Sequence, residues 1–203
     1  MGSGMSVHDE TFDKLSSESG LSKKSIKSLY ERFETLATHK DLALNERFMN
    51  EDDFKNIDEL RKNPLGERLI EAFFAVADAD NHRIYFKDFV RVIAHFRPID
   101  KNNPHPWNSR EAKLRFAFTM YDLNKSGTIT KDEFTEILKK MIGANVSDAK
   151  FDSIAERTMR ETDGDADGSI TFQEFCQAME KTDIEQKMSF FLHNFCNNNC
   201  RNF

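Results

Sequence analysis

The sequence predicts an all-α protein whose helices form helix–loop–helix units arranged in two lobes. Two twelve-residue acidic segments, 122–133 and 163–174, repeat 41 positions apart, and apolar residues recur at helical spacing around them. Nineteen phenylalanines in 203 residues supply material for a large apolar core. A stretch rich in Pro and Asn at 97–109 is typical of a linker and separates the two halves of the chain.

Helix signals follow one another along the chain. Ser22 is placed as the N-cap of a first amphipathic helix, with Leu21 positioned to pack against Ile26. The Asn-Pro pair at 63–64 starts a second helix, because proline is favoured at the first helical position. A third apolar pattern precedes the linker, and helices resume at Arg110.

Both acidic segments match the calcium-binding loop of an EF-hand. In that loop oxygen ligands lie at positions 1, 3, 5, 7 and 9, position 7 through its carbonyl, and a bidentate Glu closes the site at position 12. These positions hold Asp122, Asn124, Ser126, Thr128, Thr130 and Glu133 in the first segment, and Asp163, Asp165, Asp167, Ser169, Thr171 and Glu174 in the second. Such oxygens suit Ca²⁺, a hard cation that takes roughly 6–8 of them. The sequence therefore predicts two Ca²⁺ ions, both in the C-terminal lobe.

Two further positions in each segment support this interpretation. Gly127 and Gly168 stand at position 6, where the chain turns sharply and a positive φ is needed. Ile129 and Ile170 stand at position 8, where paired loops form a short two-stranded contact. An acidic surface turn would not fill all of these positions twice.

Two degenerate copies of the loop precede the linker. In the segment 77–88, Ile84 stands at position 8, but His82 replaces the glycine. In the longer segment 41–52, Phe48 stands near position 8. The liganding positions of this longer segment are disrupted by Ala43, Glu46 and Met49. These segments are either unrelated loops or EF-hands that no longer hold a metal, and their place between amphipathic helices favours EF-hands.

The predicted architecture is therefore four EF-hands in two lobes, with short two-strand contacts between paired loops. We name the loops in chain order: loop one (41–52), loop two (77–88), loop three (122–133) and loop four (163–174). The predicted units are an N-terminal arm at 1–20, an N-terminal lobe at 21–96, a linker at 97–109, a C-terminal lobe at 110–182, and a C-terminal helix and tail at 183–203. Loop three offers two carboxylates and loop four offers four, so loop four is predicted to fill first.

Composition bounds the classes of function. The net charge of −6 and the lack of a basic face argue against a nucleic-acid partner. Three cysteines without disulfide-scaffold density fit a reducing cytosol, and neither a signal peptide nor a membrane span is predicted. Paired catalytic carboxylates, a nucleophile elbow, a phosphate-binding glycine loop and a zinc-helix motif are all missing from the sequence, so we predict a binding protein and not an enzyme.

With calcium in loops three and four, the flanking helices of a sensor EF-hand separate and present an apolar groove. Two alternatives stay open here: the groove opens when calcium binds, or a partner occupies it permanently. A target helix would dock there through residues at i, i+3, i+4 and i+7 spacing. The candidate groove residues are Phe118, Phe134, Ile137, Leu138, Met141, Phe151, Met159, Phe172 and Phe175. Taken singly, each is better explained as a core residue, so the prediction concerns the set.

Several segments match one known family. They are Asn-Pro-Leu-Gly-Glu-Arg at 63–68, Ala-His-Phe-Arg-Pro-Ile at 94–99, Lys-Leu-Arg-Phe-Ala-Phe at 113–118, Glu-Gln-Lys-Met at 185–188 and Phe-Leu-His at 191–193. Together they make the chain similar to the calcineurin B homologous proteins from about residue 20 to residue 193. The third segment is shared with calcineurin B itself. The second segment, the two degenerate loops and the Pro-rich linker favour the homologous proteins over calcineurin B, which keeps four working sites.

That resemblance implies an obligate cytosolic subunit of plasma-membrane sodium/proton exchangers. In the family, the EF-hand body holds an amphipathic helix of the exchanger's cytoplasmic tail and supports its folding, surface delivery and pH response. The resemblance also favours constitutive binding, with calcium as a structural and tuning ion. The tail after His193 and the longer loop one depart from the family pattern. Two alternatives stay open: a calcineurin-B-like regulatory subunit of a phosphatase, and a calcium sensor or buffer.

The first six residues fit the N-myristoylation pattern, with Gly2 as the acylated residue after removal of Met1. Gly-Ser-Gly before a second Met is also typical of a cloning remnant, and both interpretations stay open. Family members share this acylation. A myristoyl chain together with the exchanger would place the protein in the cytoplasm, at the periphery of the plasma membrane.

Overall fold

A computed structural model describes residues 3–77, 82–96, 105–143 and 145–184, with side chains from residue 10 onward. These ranges contain ten α-helices, five short strands and one 3-10 helix, which confirms the predicted all-α fold with small strand contacts. No described helix combines the length and the apolar character that crossing a membrane requires. The predicted C-terminal tail beyond residue 184, the first part of the linker and Gly2 lie outside the described residues.

The N-terminal half opens with a helix that the sequence analysis did not anticipate. Its elements are α1 (Ser3–Ser19), α2 (Lys23–Leu36), β1 (His39–Asp41), β2 (Glu46–Met49), α3 (Glu51–Lys55), α4 (Asp58–Arg61), α5 (Gly66–Ala77), β3 (Ile84–Tyr85) and α6 (Phe86–Ala94). The predicted arm at 1–20 is therefore mostly helical. It is also packed, because α1 contacts α2 and α6 and Leu15 is buried in the core.

Helix α2 begins and packs as its sequence predicts. The Ser22 hydroxyl accepts a hydrogen bond from the Ser25 amide at 3.1 Å, so it is the N-cap. Leu21 and Ile26 are both buried, as the staple at this helix end requires.

The C-terminal half repeats one plan twice. It contains a 3-10 helix (Pro106–Asn108), α7 (Arg110–Tyr121), β4 (Thr128–Thr130), α8 (Lys131–Ile142), α9 (Asp148–Thr162), β5 (Ser169–Thr171) and α10 (Phe172–Ala178). Strands β4 and β5 pair in antiparallel fashion with Ile129 opposite Ile170, which is the contact predicted for position 8 of the paired loops. Loops three and four are thus joined through the paired strands β4 and β5.

The strand register of the N-terminal half corrects the alignment of loop one. Strand β2 pairs with β3 so that Met49 lies opposite Ile84, the residue at position 8 of loop two. By symmetry with the C-terminal pair, Met49, the neighbour of Phe48, stands at position 8, and Asp53, one residue beyond the segment 41–52, stands at position 12. The extra length of loop one forms a β1–β2 hairpin, which makes this sheet three-stranded.

One hydrophobic core extends through both halves of the molecule. Phe73 on α5, Phe96 after α6 and Phe116 on α7 lie at its centre, with ring centroids 5.7 Å (73–96), 6.0 Å (73–116) and 4.9 Å (96–116) apart. Because Phe116 comes from the C-terminal half and the other two from the N-terminal half, the two lobes share this core. Three of the nineteen phenylalanines thus fill the core between the lobes.

The lobe junction also contains a buried histidine. His95, at the end of α6, is 9% exposed, and its Nδ1 donates to the carbonyl of Arg91 at 2.8 Å. Burial lowers the pKa of this imidazole, and the charge of Lys113 lowers it further against the opposing effect of the hydrogen bond to Arg91. The folded protein therefore favours the neutral ring.

We expect the protein to lose stability as the pH falls below about 6.5, the usual imidazole pKa. In that window the unfolded His95 takes up a proton while the folded one resists, so acid favours the unfolded state. The contribution of neutral His95 to the free energy of unfolding is complete above the pKa that this imidazole has in the unfolded state. It is lost as the pH falls toward the lower pKa of His95 in the folded state. Urea unfolding of the wild type and of His95→Gln, between about pH 7.5 and 5.5, measures it. The variant should show a flatter profile, and parallel profiles would contradict this assignment.

Candidate metal centre

Loop three is closed by the carboxylate at position 12. Glu133 is the third residue of α8, and Thr130 is its N-cap in a reciprocal capping box. Glu133 Oε2 accepts from the Thr130 amide and hydroxyl, both at 2.9 Å. Its Oε1 accepts from the amides of Leu123 at 3.0 Å and Asn124 at 3.2 Å. The residue that ends the loop is thus fixed against the residues that begin it.

The first ligand of loop three organises the turn. Asp122 Oδ1 accepts from the Ser126 amide and Oδ2 from the Gly127 amide, each at 2.9 Å. Gly127 has a φ of +89°, as predicted for position 6, and Lys125 at position 4 also has a positive φ. The backbone therefore wraps around the Asp122 carboxylate.

Loop four has the same geometry with more charge. Glu174 Oε2 accepts from the Thr171 amide at 2.8 Å and hydroxyl at 2.7 Å, and its Oε1 accepts from the Gly164 amide at 2.7 Å. Oxygens of Asp163, Asp165 and Glu174 all lie within 4.8 Å of one another. Such a converging set of carboxylates fits a hard divalent cation that prefers oxygen ligands.

The two position-12 carboxylates stay ionised at neutral pH. Hydrogen bonds from the Thr171 amide and hydroxyl, and from the Gly164 amide, lower the pKa of Glu174. Burial raises the pKa of Glu133, but hydrogen bonds from Thr130, Asn124 and Leu123 outweigh it, so the net shift is downward. Both groups are therefore in the form that binds a metal.

Two acidic groups of loop one, Asp41 and Asp53, accept hydrogen bonds from protein donors. Asp53, at position 12, is 4% exposed, and its carboxylate accepts from the Thr38 hydroxyl at 2.6 Å and lies 3.2 Å from His39 Nδ1. Asp41 accepts from Arg83 and Tyr85, each at 2.9 Å. These donors are side chains that lie before and after loop one in the sequence.

Position 6 of loop two has the backbone conformation of an EF-hand without the glycine. His82, at position 6, has a φ of +50°, the left-handed conformation that Gly127 and Gly168 adopt. Ile84 at position 8 is fully buried. Residues 78–81 lie outside the described parts of the chain. The location of both ions in the C-terminal lobe stays a prediction, which the internal bonding of loop one supports.

The candidate groove residues mostly face inward in this conformation. Five are buried: Phe118, Ile137, Phe151, Met159 and Phe175. Three are partly buried: Phe134, Leu138 and Phe172. Met141 is 51% exposed. Its neighbour Ile142, which was not among the candidates, is 46% exposed. Their contact with a partner stays a prediction.

Known EF-hand proteins are similar to this chain in the region of the candidate metal centre. The pattern of an EF-hand domain pair fits residues 111–180, which contain loops three and four. Over 187 residues the chain is 33% identical to the calcineurin B subunit of Naegleria gruberi, and the alignment covers 92% of this chain and 97% of that protein.

Proposed function

The chain belongs to the calcineurin B-like family of EF-hand proteins, and from that premise we propose that it is a regulatory subunit for sodium/proton exchangers. In this proposal it binds an amphipathic helix in the cytoplasmic tail of an exchanger and supports the stability and pH-dependent activity of that transporter. The observation that carries a binding role is the pair of calcium loops between helices whose facing side chains are apolar. As a calcium-binding EF-hand protein of a regulatory family, the chain would act through its partner.

The oxygen ligands of loops three and four would hold one Ca²⁺ ion each. When bound, Ca²⁺ would supply a divalent positive charge that offsets negative charge of the loop carboxylates. Glu133 and Glu174 lie on the helices that leave the loops, so the position of these carboxylates sets the position of α8 and α10. Movement of these helices relative to α7 and α9 is how EF-hands open an apolar groove.

The partner would be a helix with apolar residues at i, i+3, i+4 and i+7. Phenylalanine and methionine predominate among the candidate groove residues, and methionine adapts its shape to different targets. Met141 and Ile142, at the end of α8, already present apolar surface to such a helix. The remaining candidates would contribute after the helices separate.

Two observations favour an exchanger over a phosphatase as the partner. Asp53 in loop one is bonded to Thr38 and His39, and His82 replaces the glycine of loop two. Both are consistent with a metal-free N-terminal lobe, the feature that distinguishes the calcineurin B homologous proteins from calcineurin B.

The second candidate function is a regulatory subunit of a protein phosphatase. It is supported by the identity to a calcineurin B subunit across nearly the whole of that protein. Immobilised peptides separate the two candidates: one from an exchanger's juxtamembrane tail, and one from the phosphatase helix that holds a regulatory subunit. Preferential capture by the exchanger peptide supports the first proposal, and preferential capture by the phosphatase peptide replaces it with the second. A buffer would bind neither.

Cytoplasmic location at the plasma membrane is part of the proposal. One myristoyl chain at Gly2 gives only marginal membrane binding, so the exchanger would supply the second anchor. Mass spectrometry of the N-terminal peptide, from protein made in cells with an N-myristoyltransferase, tests the acylation. An unmodified Gly2 would leave the partner as the anchor.

A further inference from the structure

A buried arginine connects the N-terminal lobe to the beginning of loop three. Arg68 lies on α5 and is 7% exposed. Its Nε donates to the carbonyl of Met120 at 3.2 Å, and its Nη2 donates to the carbonyls of Thr119 at 2.7 Å and Asp122 at 3.3 Å. Its Nη1 pairs with Glu71 on the same helix. The guanidinium thus spans from one lobe to the other.

Two of these acceptors, the carbonyls of Thr119 and Met120, lie in the last turn of α7, and the third is the first carbonyl of loop three. Carbonyls at a helix C-terminus have no partner within the helix and carry its negative partial charge. The planar guanidinium can bond several of them in one fixed orientation. Asp122 is therefore fixed at two points. Its carbonyl accepts from Arg68, and its carboxylate, the predicted first ligand of the loop, accepts from the Ser126 amide.

A second buried cation ties the other end of α7 to the N-terminal lobe. Lys113 is fully buried, and its Nζ donates to the carbonyl of His95, the C-cap of α6. Helix α7 is consequently anchored to the N-terminal lobe near both of its ends. Among the described residues, no side chain of that lobe donates to the backbone of loop four, whose hydrogen bonds are local.

We propose that Arg68 is a positioning residue for calcium at loop three, through which the N-terminal lobe sets the affinity of that site. The inference rests on the proposed calcium site in loop three. Arg68 holds the backbone of Asp122 in the conformation that directs its carboxylate into the loop, so less ordering remains when Ca²⁺ binds. Loop three, with only two carboxylates, depends on such preorganisation more than loop four does.

The positive charge of an unpaired arginine at this place would oppose Ca²⁺ binding. Glu71 is paired with Arg68 and offsets that charge, while the three backbone hydrogen bonds fix geometry. We therefore expect the geometric effect to prevail. Because coupling between sites is reciprocal, Ca²⁺ at loop three must in turn stabilise the α5–α7 contact.

The test measures loop three alone. In a Glu174→Gln background, which disables loop four, calcium titration of Arg68→Met should show about a tenfold lower affinity, within the usual range of such couplings. Arg68→Lys keeps the charge but cannot bond three carbonyls in a plane, so it should also weaken binding. Arg61→Met removes an exposed arginine of the same lobe and should bind like the background. In the complementary Glu133→Gln background, Arg68→Met should leave loop four unchanged.

Hydrogen exchange gives a second readout that does not require a stable Arg68→Met protein. Ca²⁺ should slow the exchange of α5 amides in the Glu174→Gln background, and this protection should be reduced in Arg68→Lys. Unchanged affinity and protection in the Arg68 variants would overturn the inference and leave the proposed function intact. Rescue of affinity by Arg68→Lys, or equal weakening of both loops, would also overturn it. If the Glu174→Gln background itself binds no calcium, loop three is not a site, and both the inference and the two-ion proposal fail.

Discussion

Replacing Glu174 with Gln is expected to remove the tighter of two calcium-binding events, and replacing Glu133 with Gln the weaker one. Loop four presents four carboxylates and loop three only two, and ligand charge is a main determinant of EF-hand affinity. Glutamine keeps the shape of the side chain but removes the bidentate anion. We expect the affinity of the altered loop to fall about 100-fold or more, within the span that EF-hands cover. Calorimetric titration with Ca²⁺ measures both events.

Glu136→Gln is the matched control for these substitutions. Glu136 lies on α8 near Glu133, but it is exposed and pairs with Lys140. Its replacement should leave both binding events in place. The proposed order of filling would be wrong if Glu133→Gln abolished the tighter event and Glu174→Gln the weaker one.

Truncating Phe73 to Ala should lower the free energy of unfolding by about 3–5 kcal/mol. The ring is fully buried and contacts rings from both lobes, including Phe96 and Phe116, so its removal leaves a cavity in the shared core. Denaturant unfolding followed by the single tryptophan, Trp107, and by circular dichroism measures the change. Because the core is common to both lobes, the two signals should shift together.

Leu44→Ala is the control for this truncation. Leu44 is 59% exposed at the β1–β2 hairpin, and its loss should change stability by no more than about 0.5 kcal/mol. Two separate transitions, of which Phe73→Ala shifted only one, would contradict a core shared between the lobes.

The features that the sequence predicted best are determined locally. The predicted cap at Ser22 follows from a side chain that bonds an amide three residues away. The twelve-residue spacing places Ile129 opposite Ile170, and the structure has that register. The cap depends on neighbours in sequence, and the Ile129–Ile170 pairing follows because both loops contain the same twelve-residue pattern.

The errors and omissions depend on contacts between distant residues. The register of loop one is set by pairing of β2 with β3, about 35 residues later, so counting along the chain placed position 8 near Phe48 and did not identify Met49. Helix α1 has a weak apolar pattern and is held by packing against α2 and α6. Arg68 was missed for a related reason. Its acceptors are backbone carbonyls of another helix, and backbone acceptors leave no signature in the side-chain sequence.

The central claim is that this protein binds a helix from an exchanger's cytoplasmic tail. Calorimetric titration of the purified protein with a peptide from the juxtamembrane tail, in calcium and in chelator, tests it most directly. We predict tight binding in calcium and weaker but measurable binding in chelator, because calcium is proposed to stabilise a complex that also forms without it. The claim would be contradicted if the exchanger peptide did not bind in either condition. This holds whether the phosphatase-helix peptide binds instead or neither peptide binds.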